Sequence, residues 1–143
     1  MKKLVLTGVV LCAMLSLVAC QSELEETMVL LDEKISAVHI AHSEGFGDMN
    51  QEIIFTFQDK KTVDLFETAI TTAIKKSEGA GSSLPDYDLM VEYEDGYPTH
   101  AIHLWLGEKN ESSFMKYITD ETEVYETTPK MTNKLREFIL SEE

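Results

Sequence analysis

Apolar and polar residues alternate along several short stretches of the chain, and this two-residue period is typical of β-strands with one buried face. The clearest stretch is 87–94, which is followed by Asp95-Gly96 and by a second apolar stretch at 97–106. Asp-Gly between two such stretches is a strong signal for a two-residue hairpin turn. The same pattern predicts further strands at 35–41, 52–57 and 113–119, with a short one at 123–125.

The two-residue turn fixes the register of the predicted hairpin. Asp88 then lies opposite His103, and Met90 lies opposite Ala101. The other face of the hairpin is more apolar and is the predicted core face; its residues are Tyr87, Leu89, Val91, His100, Ile102 and Leu104. In the strand at 52–57, the residues predicted to face the core are Ile53, Phe55 and Phe57.

Two other stretches repeat their apolar residues at helical spacing. The first is predicted to run over 60–76, with Asp59 as its N-cap and Lys75 and Lys76 in its last turn. Its apolar stripe is Val63, Phe66, Ile70, Ala73 and Ile74. The second helix is predicted to start at Thr128-Pro129, a cap followed by proline at the first helical position. Its stripe is Met131, Leu135, Phe138 and Ile139.

The predicted order of elements is therefore β-β-α-β-β-β-(β)-α. Tight turns between consecutive strands indicate antiparallel pairing, and two amphipathic helices must bury their apolar stripes against the sheet. We expect an α+β two-layer sandwich with an antiparallel sheet of about five to six strands. The apolar run at 28–31 is compatible with either an edge strand or a helical turn.

The N-terminal residues have the layout of a secretory signal peptide, with Lys2-Lys3 before an apolar run that is too short to span a bilayer. Leu17-Val18-Ala19-Cys20 resembles the lipobox of bacterial lipoproteins. That resemblance implies cleavage before Cys20 and diacylglycerol on its thiol. The expected organisation is a signal peptide at 1–19, a lipidated Cys20 with a short acidic tether to residue 33, and one globular domain at 34–143.

Three short motifs extend the resemblance to about 34–140. They are Asp-Lys-Lys at 59–61, Tyr-x-Asp-Gly at 93–96 and Leu-Trp-Leu at 104–106. Together with the lipobox and the order of elements, they resemble the small YhfM-like lipoproteins of bacilli. The resemblance implies a lipid-anchored protein on the outer face of a Gram-positive cytoplasmic membrane, and it implies no particular chemistry.

Charge and cysteine content exclude several classes of function. The formal net charge is −14 over 143 residues, and loss of Lys2 and Lys3 with the signal peptide gives −16. Such a surface repels nucleic acid and anionic lipid headgroups. The chain has two cysteines, Cys12 in the signal peptide and Cys20 at the lipidation site. We therefore expect no disulfide, no thiol catalysis and no cofactor other than the covalent lipid.

The four histidines form two His-x-x-His pairs, at 39–42 and 100–103. Residues three apart on a strand point to opposite faces, so neither pair can chelate a metal by itself. A cation site would need His39, His103 and Asp88 to converge from adjacent strands. The alternative is a simple cross-strand pair between Asp88 and His103. An extracytoplasmic zinc- or calcium-binding protein is therefore a second hypothesis.

Catalytic motifs are not apparent in the sequence. The acidic row Asp88, Glu92 and Glu94 would support acid/base chemistry only in a cleft that removes one carboxylate from water, and an open sheet face provides no such cleft. We therefore expect no enzymatic activity. This expectation would change if a deep cleft were lined by Asp88 and Glu92.

Trp105 lies on the same predicted face as His103 and Met90, opposite the core face. Exposed tryptophan and methionine side chains are typical of interaction surfaces. These three residues are therefore candidate contacts for a partner, such as an envelope protein or a wall component. The alternative is that a helix or the loop at 79–83 covers Trp105, which would make it an ordinary packing residue. The leading hypothesis is a membrane-anchored binding or interaction domain.

Overall fold

The computed structural model describes residues 24–79, 83–120 and 122–141. The predicted signal peptide and Cys20 lie outside them. The strands in these residues are β1 (Ile35–His42), β2 (Ile53–Phe57), β3 (Ile74–Lys76), β4 (Tyr87–Tyr93), β5 (His100–Trp105), β6 (Phe114–Tyr117) and β7 (Val124–Glu126), and the helices are α1 (Lys60–Thr71) and α2 (Pro129–Leu140). None of the described helices is both long enough and apolar enough to cross a bilayer.

The strands form a single antiparallel sheet in the order β2-β1-β4-β5-β6-β7-β3. One cluster of buried side chains joins the sheet to both helices, with Phe66 and Ile70 from α1 and Leu135 and Ile139 from α2. The α+β class is therefore confirmed. The described residues contain seven strands, slightly more than expected, because β3 lies within the stretch predicted as helix.

The β4–β5 hairpin has the predicted register. Asp88 lies opposite His103 and Met90 opposite Ala101. Asp95 and Gly96 both adopt positive φ, 60° and 75°, as the central residues of a type I′ turn require. The predicted core face is also correct: Leu89, Val91, Ile102 and Leu104 are each at most 1% exposed.

Both predicted helix starts are confirmed. Asp59 accepts a hydrogen bond from the backbone N–H of Thr62 at 3.0 Å, and Thr128 accepts one from that of Met131 at 3.2 Å. Pro129 occupies the first turn of α2. Each cap pairs a backbone donor that has no partner within its own helix.

The predicted end of the first helix is wrong. α1 ends at Thr71, and Ile74, Lys75 and Lys76 form β3, the edge strand that pairs with β7. β-Branched residues dominate positions 70–74, and such residues favour strands over helices. Lys75 is therefore absent from a helical last turn and forms ion pairs with Glu26 and Glu123.

One residue of β2 also lies on a different face from the predicted one. The β1–β2 register shifts by one residue, so that Phe55 lies opposite Ile40 but Ile53 lies opposite Ala41. Phe55 and Phe57 pack against the core as predicted. Ile53 is turned to the other face, because a one-residue shift reverses the side-chain direction, and it remains 38% exposed.

The stretch at 28–31 forms neither a strand nor a helical turn. Met28 is buried at 1% exposure, and Thr27 forms an isolated bridge with Ile74. The Tyr117 hydroxyl accepts a hydrogen bond from the Val29 N–H and donates one to the Val29 carbonyl, both at 2.6 Å. The packed structure therefore includes residues N-terminal to position 34.

Candidate functional site

Three ionisable residues lie side by side on the sheet face opposite the helices. Asp88 on β4 lies opposite His103 on β5, and His103 lies opposite Lys116 on β6. Opposed residues in an antiparallel sheet point to the same face. The sheet therefore places a carboxylate, an imidazole and an ammonium group in one row.

Asp88 and His103 form a buried pair. The His103 Nδ1 lies 2.8 Å from the Asp88 Oδ1, and the side chains are 3% and 0% exposed. The second carboxylate oxygen, Oδ2, accepts a hydrogen bond from the backbone N–H of Asn50 at 2.9 Å. A carboxylate with both oxygens bonded fixes the orientation of the ring, and Nε2 is the ring nitrogen that Asp88 does not engage.

The loop between β1 and β2 folds over this pair, and we call residues 43–50 the arch. Gly45 and Gly47 have φ of 116° and 122°, a region that glycine adopts far more readily than other residues. Phe46 between them packs nearly perpendicular to the His103 ring, with ring centroids 6.3 Å apart, and contacts the ring of Trp105 at 6.2 Å. The Asn50 amide ties the other end of the arch to Asp88.

Trp105 is covered, so the alternative in which it is an ordinary packing residue is the correct one. It is 8% exposed, and its indole N–H donates a hydrogen bond to the Ser83 carbonyl at 2.9 Å. His103 is 2% exposed. Neither residue offers exposed surface to a partner in this conformation. The exposed apolar groups at this end of the sheet are Phe46 and Leu84, at 58% and 61%.

The other predicted candidates lie further along the same face. His39 is opposite Met90, which is half-buried. The His39 Nδ1 lies 2.9 Å from the Thr56 Oγ1, and its Nε2 lies 2.7 Å from a Glu92 carboxylate oxygen.

His39 therefore uses both ring nitrogens in contacts separate from the Asp88–His103 pair. Among the residues that the structure describes, no three His, Cys, Asp or Glu side chains are grouped so that they could hold a metal ion.

A cavity of about 290 Å³ lies beside His103, beneath the arch. Its lining consists of Phe46, Gly47, His103, Lys116 and Ile118. The Lys116 Nζ lies 5.9 Å from the centroid of the Phe46 ring, within range of a cation–π contact. A histidine, a lysine and an aromatic ring can together bind a small ligand.

Lys116 and Phe46 were not identified as site residues from the sequence. For Lys116, the alternation at 114–117 places Phe114 and Lys116 on one face of the strand and Met115 and Tyr117 on the other. That pattern does not fix the register between β5 and β6, so it cannot pair Lys116 with His103. For Phe46 the signal was its position between two glycines, which indicates a special backbone conformation but not what the loop covers.

Comparison with known proteins places this α+β domain in a family. The family model described as "YhfM protein" matches residues 33–143. The chain belongs to the YhfM family. No curated protein matches the sequence significantly.

The fold is similar to that in a crystal structure of a thioesterase-like protein from Clostridium sporogenes. The TM-score is 0.60 with 14% sequence identity, over 74% of this chain and 94% of that chain. At this identity the likeness concerns the fold.

Proposed function

We propose that this chain is an extracytoplasmic lipoprotein, held on the outer face of a Gram-positive cytoplasmic membrane by lipid on Cys20. The lipobox-like sequence at 17–20 supports this location. The domain already includes Glu26 and Met28, which contact Lys75 and the core, so the proposed tether is the short stretch between Cys20 and Glu26. Acyl chains attached at Cys20 would hold the domain at the membrane without a spanning helix.

We further propose that the domain is a non-enzymatic binding module, and the observation that carries this proposal is the arch above the cavity. The arch presents Phe46 at the surface while its ring also packs against that of His103. An exposed aromatic side chain on a loop, above a cavity with charged groups, is a common arrangement for recognition. The expected partner is an envelope protein or a wall component.

Catalysis is the competing interpretation, because a carboxylate that orients a histidine is also part of many hydrolytic sites. The described residues that line the cavity include no hydroxyl, thiol or carboxylate group that could act as a nucleophile. The Asp88–His103 pair would therefore have to activate water. The side chains in the cavity lining therefore fit ligand binding better than covalent catalysis. Thioester hydrolysis that disappears in His103→Ala would instead establish an enzyme.

The lipid anchor predicts the behaviour of the two cysteines. In cells, Cys20→Ala should shift the protein from the membrane fraction to the soluble fraction and remove label from a palmitate analogue. Cys12→Ala is the matched control and should remain membrane-bound and labelled, because Cys12 is lost with the signal peptide. A Cys20→Ala protein that stayed labelled would contradict the lipoprotein assignment.

The binding proposal predicts where the protein contacts its surroundings. A photo-crosslinking phenylalanine analogue at Phe46 should give a discrete crosslinked product in intact cells. The same analogue at Tyr97 is the control, because Tyr97 is also exposed, at 43%, but follows the hairpin turn at the opposite end of β4. Equal crosslinking at the two positions, or none at Phe46, would argue against a binding surface at the arch.

A further inference from the structure

The charge of the cavity lining differs from that of the chain as a whole. The chain carries 26 Asp and Glu against 12 Lys and Arg, yet among the residues that the structure describes the ionisable ones in the cavity lining are His103 and Lys116. The nearby carboxylate of Asp88 bonds to the His103 ring and to the Asn50 amide. Lys116 also interacts electrostatically with Asp120, but the side chains that face the cavity are basic. Basic groups in the wall of a cavity favour a ligand of negative charge.

We propose that this cavity binds a small organic anion, whose carboxylate or phosphate group contacts Lys116 and His103 and whose apolar part packs against Phe46. The inference rests on the proposed binding function and names its ligand class. Carboxylate and phosphate share the chemistry that matters here, since both accept charge-assisted hydrogen bonds from ammonium groups and from doubly protonated imidazole rings.

The register brings the two basic groups together. Cross-strand neighbours such as His103 and Lys116 have Cβ atoms about 5 Å apart. Asp88 accepts a hydrogen bond from the Nδ1–H of His103, so Nε2 can donate a hydrogen bond to an anion when the ring carries protons on both nitrogens. The ammonium group of Lys116 lies beside the Phe46 ring. An anion in the cavity therefore meets a nitrogen from each of two adjacent strands.

The size and the remaining lining define the rest of the ligand. A volume of about 290 Å³ is at the lower end for small-molecule sites, so the ligand is small. Phe46 and Ile118 supply apolar surface on the walls. Benzoate and phenyl phosphate combine an anionic group with an aromatic ring of suitable size, and they are the probes of choice.

Trp105 provides the measurement, because it is the only tryptophan of the chain and its ring centroid lies 6.2 Å from those of His103 and Phe46. The full-length protein in detergent is titrated at constant ionic strength. Benzoate, phenyl phosphate or both should produce a saturable change in fluorescence, and the stronger of the two identifies the anionic group. Benzyl alcohol, a neutral analogue, should produce no saturable change.

Variants at Lys116 test the charge. Lys116→Gln should raise the dissociation constant about tenfold or more, whereas Lys116→Arg should retain binding. Lys60→Gln is the matched control, because Lys60 is an exposed lysine on α1 that pairs with Asp64. The proposal is overturned by a lack of saturable response to both anions, by equal binding of benzyl alcohol, or by Lys116→Gln binding as tightly as the wild type.

Failure of this inference is separable from failure of the proposed function. Crosslinking at position 46 and fractionation of Cys20→Ala do not depend on the identity of the ligand. If both succeed while benzoate and phenyl phosphate do not bind, the anion class is wrong and the binding module stands. If the crosslink at position 46 also fails, the arch is not a binding surface.

Discussion

Replacing Asp88 with alanine should lower the free energy of unfolding by about 3–5 kcal/mol, the usual cost of removing one member of a buried ion pair. The carboxylate is fully buried and accepts hydrogen bonds from His103 and from the backbone of Asn50. Its removal leaves the buried Nδ1–H of His103 without an acceptor, at a cost of about 1–3 kcal/mol, and also removes the acceptor of the half-buried Asn50 N–H. The measurement is chemical denaturation of the full-length protein.

Glu92→Ala is the matched control for Asp88→Ala. Glu92 is on the same strand and also bonds to a histidine, His39, at 2.7 Å, but its side chain is 48% exposed. Exposed pairs of this kind contribute about 1 kcal/mol or less, so the control should lose much less stability. Similar losses in the two variants would show that burial of the Asp88–His103 pair contributes little.

A double-mutant cycle then isolates the interaction between Asp88 and His103. If the pair acts as a unit, Asp88→Ala and His103→Ala should not be additive, and the double variant should lose less stability than the two single losses combined. Full additivity would place the cost of Asp88→Ala in the Asn50 contact with the arch.

The pairing of Asp88 with His103 could be predicted because both residues lie on the β4–β5 hairpin. Asp95-Gly96 permits the positive φ angles of a type I′ turn, and the turn in turn fixes the pairing of Asp88 with His103. This inference needed only local chemistry. The pair was therefore predictable, although its burial was not.

Burial of the pair depends on a loop whose path the sequence does not encode in any simple period. The arch crosses the sheet because Gly45 and Gly47 allow its backbone conformation and because the Asn50 amide bonds to Asp88. The glycines indicate a special backbone conformation but not the path of the loop, and the contact of Asn50 with Asp88 joins residues 38 positions apart. The sequence was therefore compatible with an exposed Trp105 and with a covered one.

The end of α1 shows a similar limit. Ala73 and Ile74 continue the helical stripe, and Ala73 is indeed buried, so periodicity alone favours a longer helix. Pairing of β3 with β7 decides the outcome in favour of a strand. β7 lies about 50 residues further along the chain, and local propensity could not reveal that partner.

Phe66→Ala should destabilise the protein by about 3–5 kcal/mol, as expected for a large aromatic residue removed from a core. Phe66 on α1 is fully buried and stacks on Phe57 of β2, with ring centroids 5.7 Å apart. Phe57 in turn contacts Phe138 of α2 edge to face at 6.5 Å. Loss of the Phe66 ring removes this aromatic contact between β2 and α1.

Two further variants separate this contact from a general effect on the helix. Leu65→Ala changes the neighbouring, half-buried residue of α1 and should cost less than half as much, because less apolar surface leaves the core. Phe66→Leu keeps most of the volume and should fall between the two. Relative to the wild type, Phe66→Ala should accelerate amide hydrogen exchange more in β2, which Phe66 contacts through Phe57, than in β4, which lies between β1 and β5. Equal acceleration in both strands would mean that Phe66 stabilises the sheet as a whole and does not specifically hold its edge.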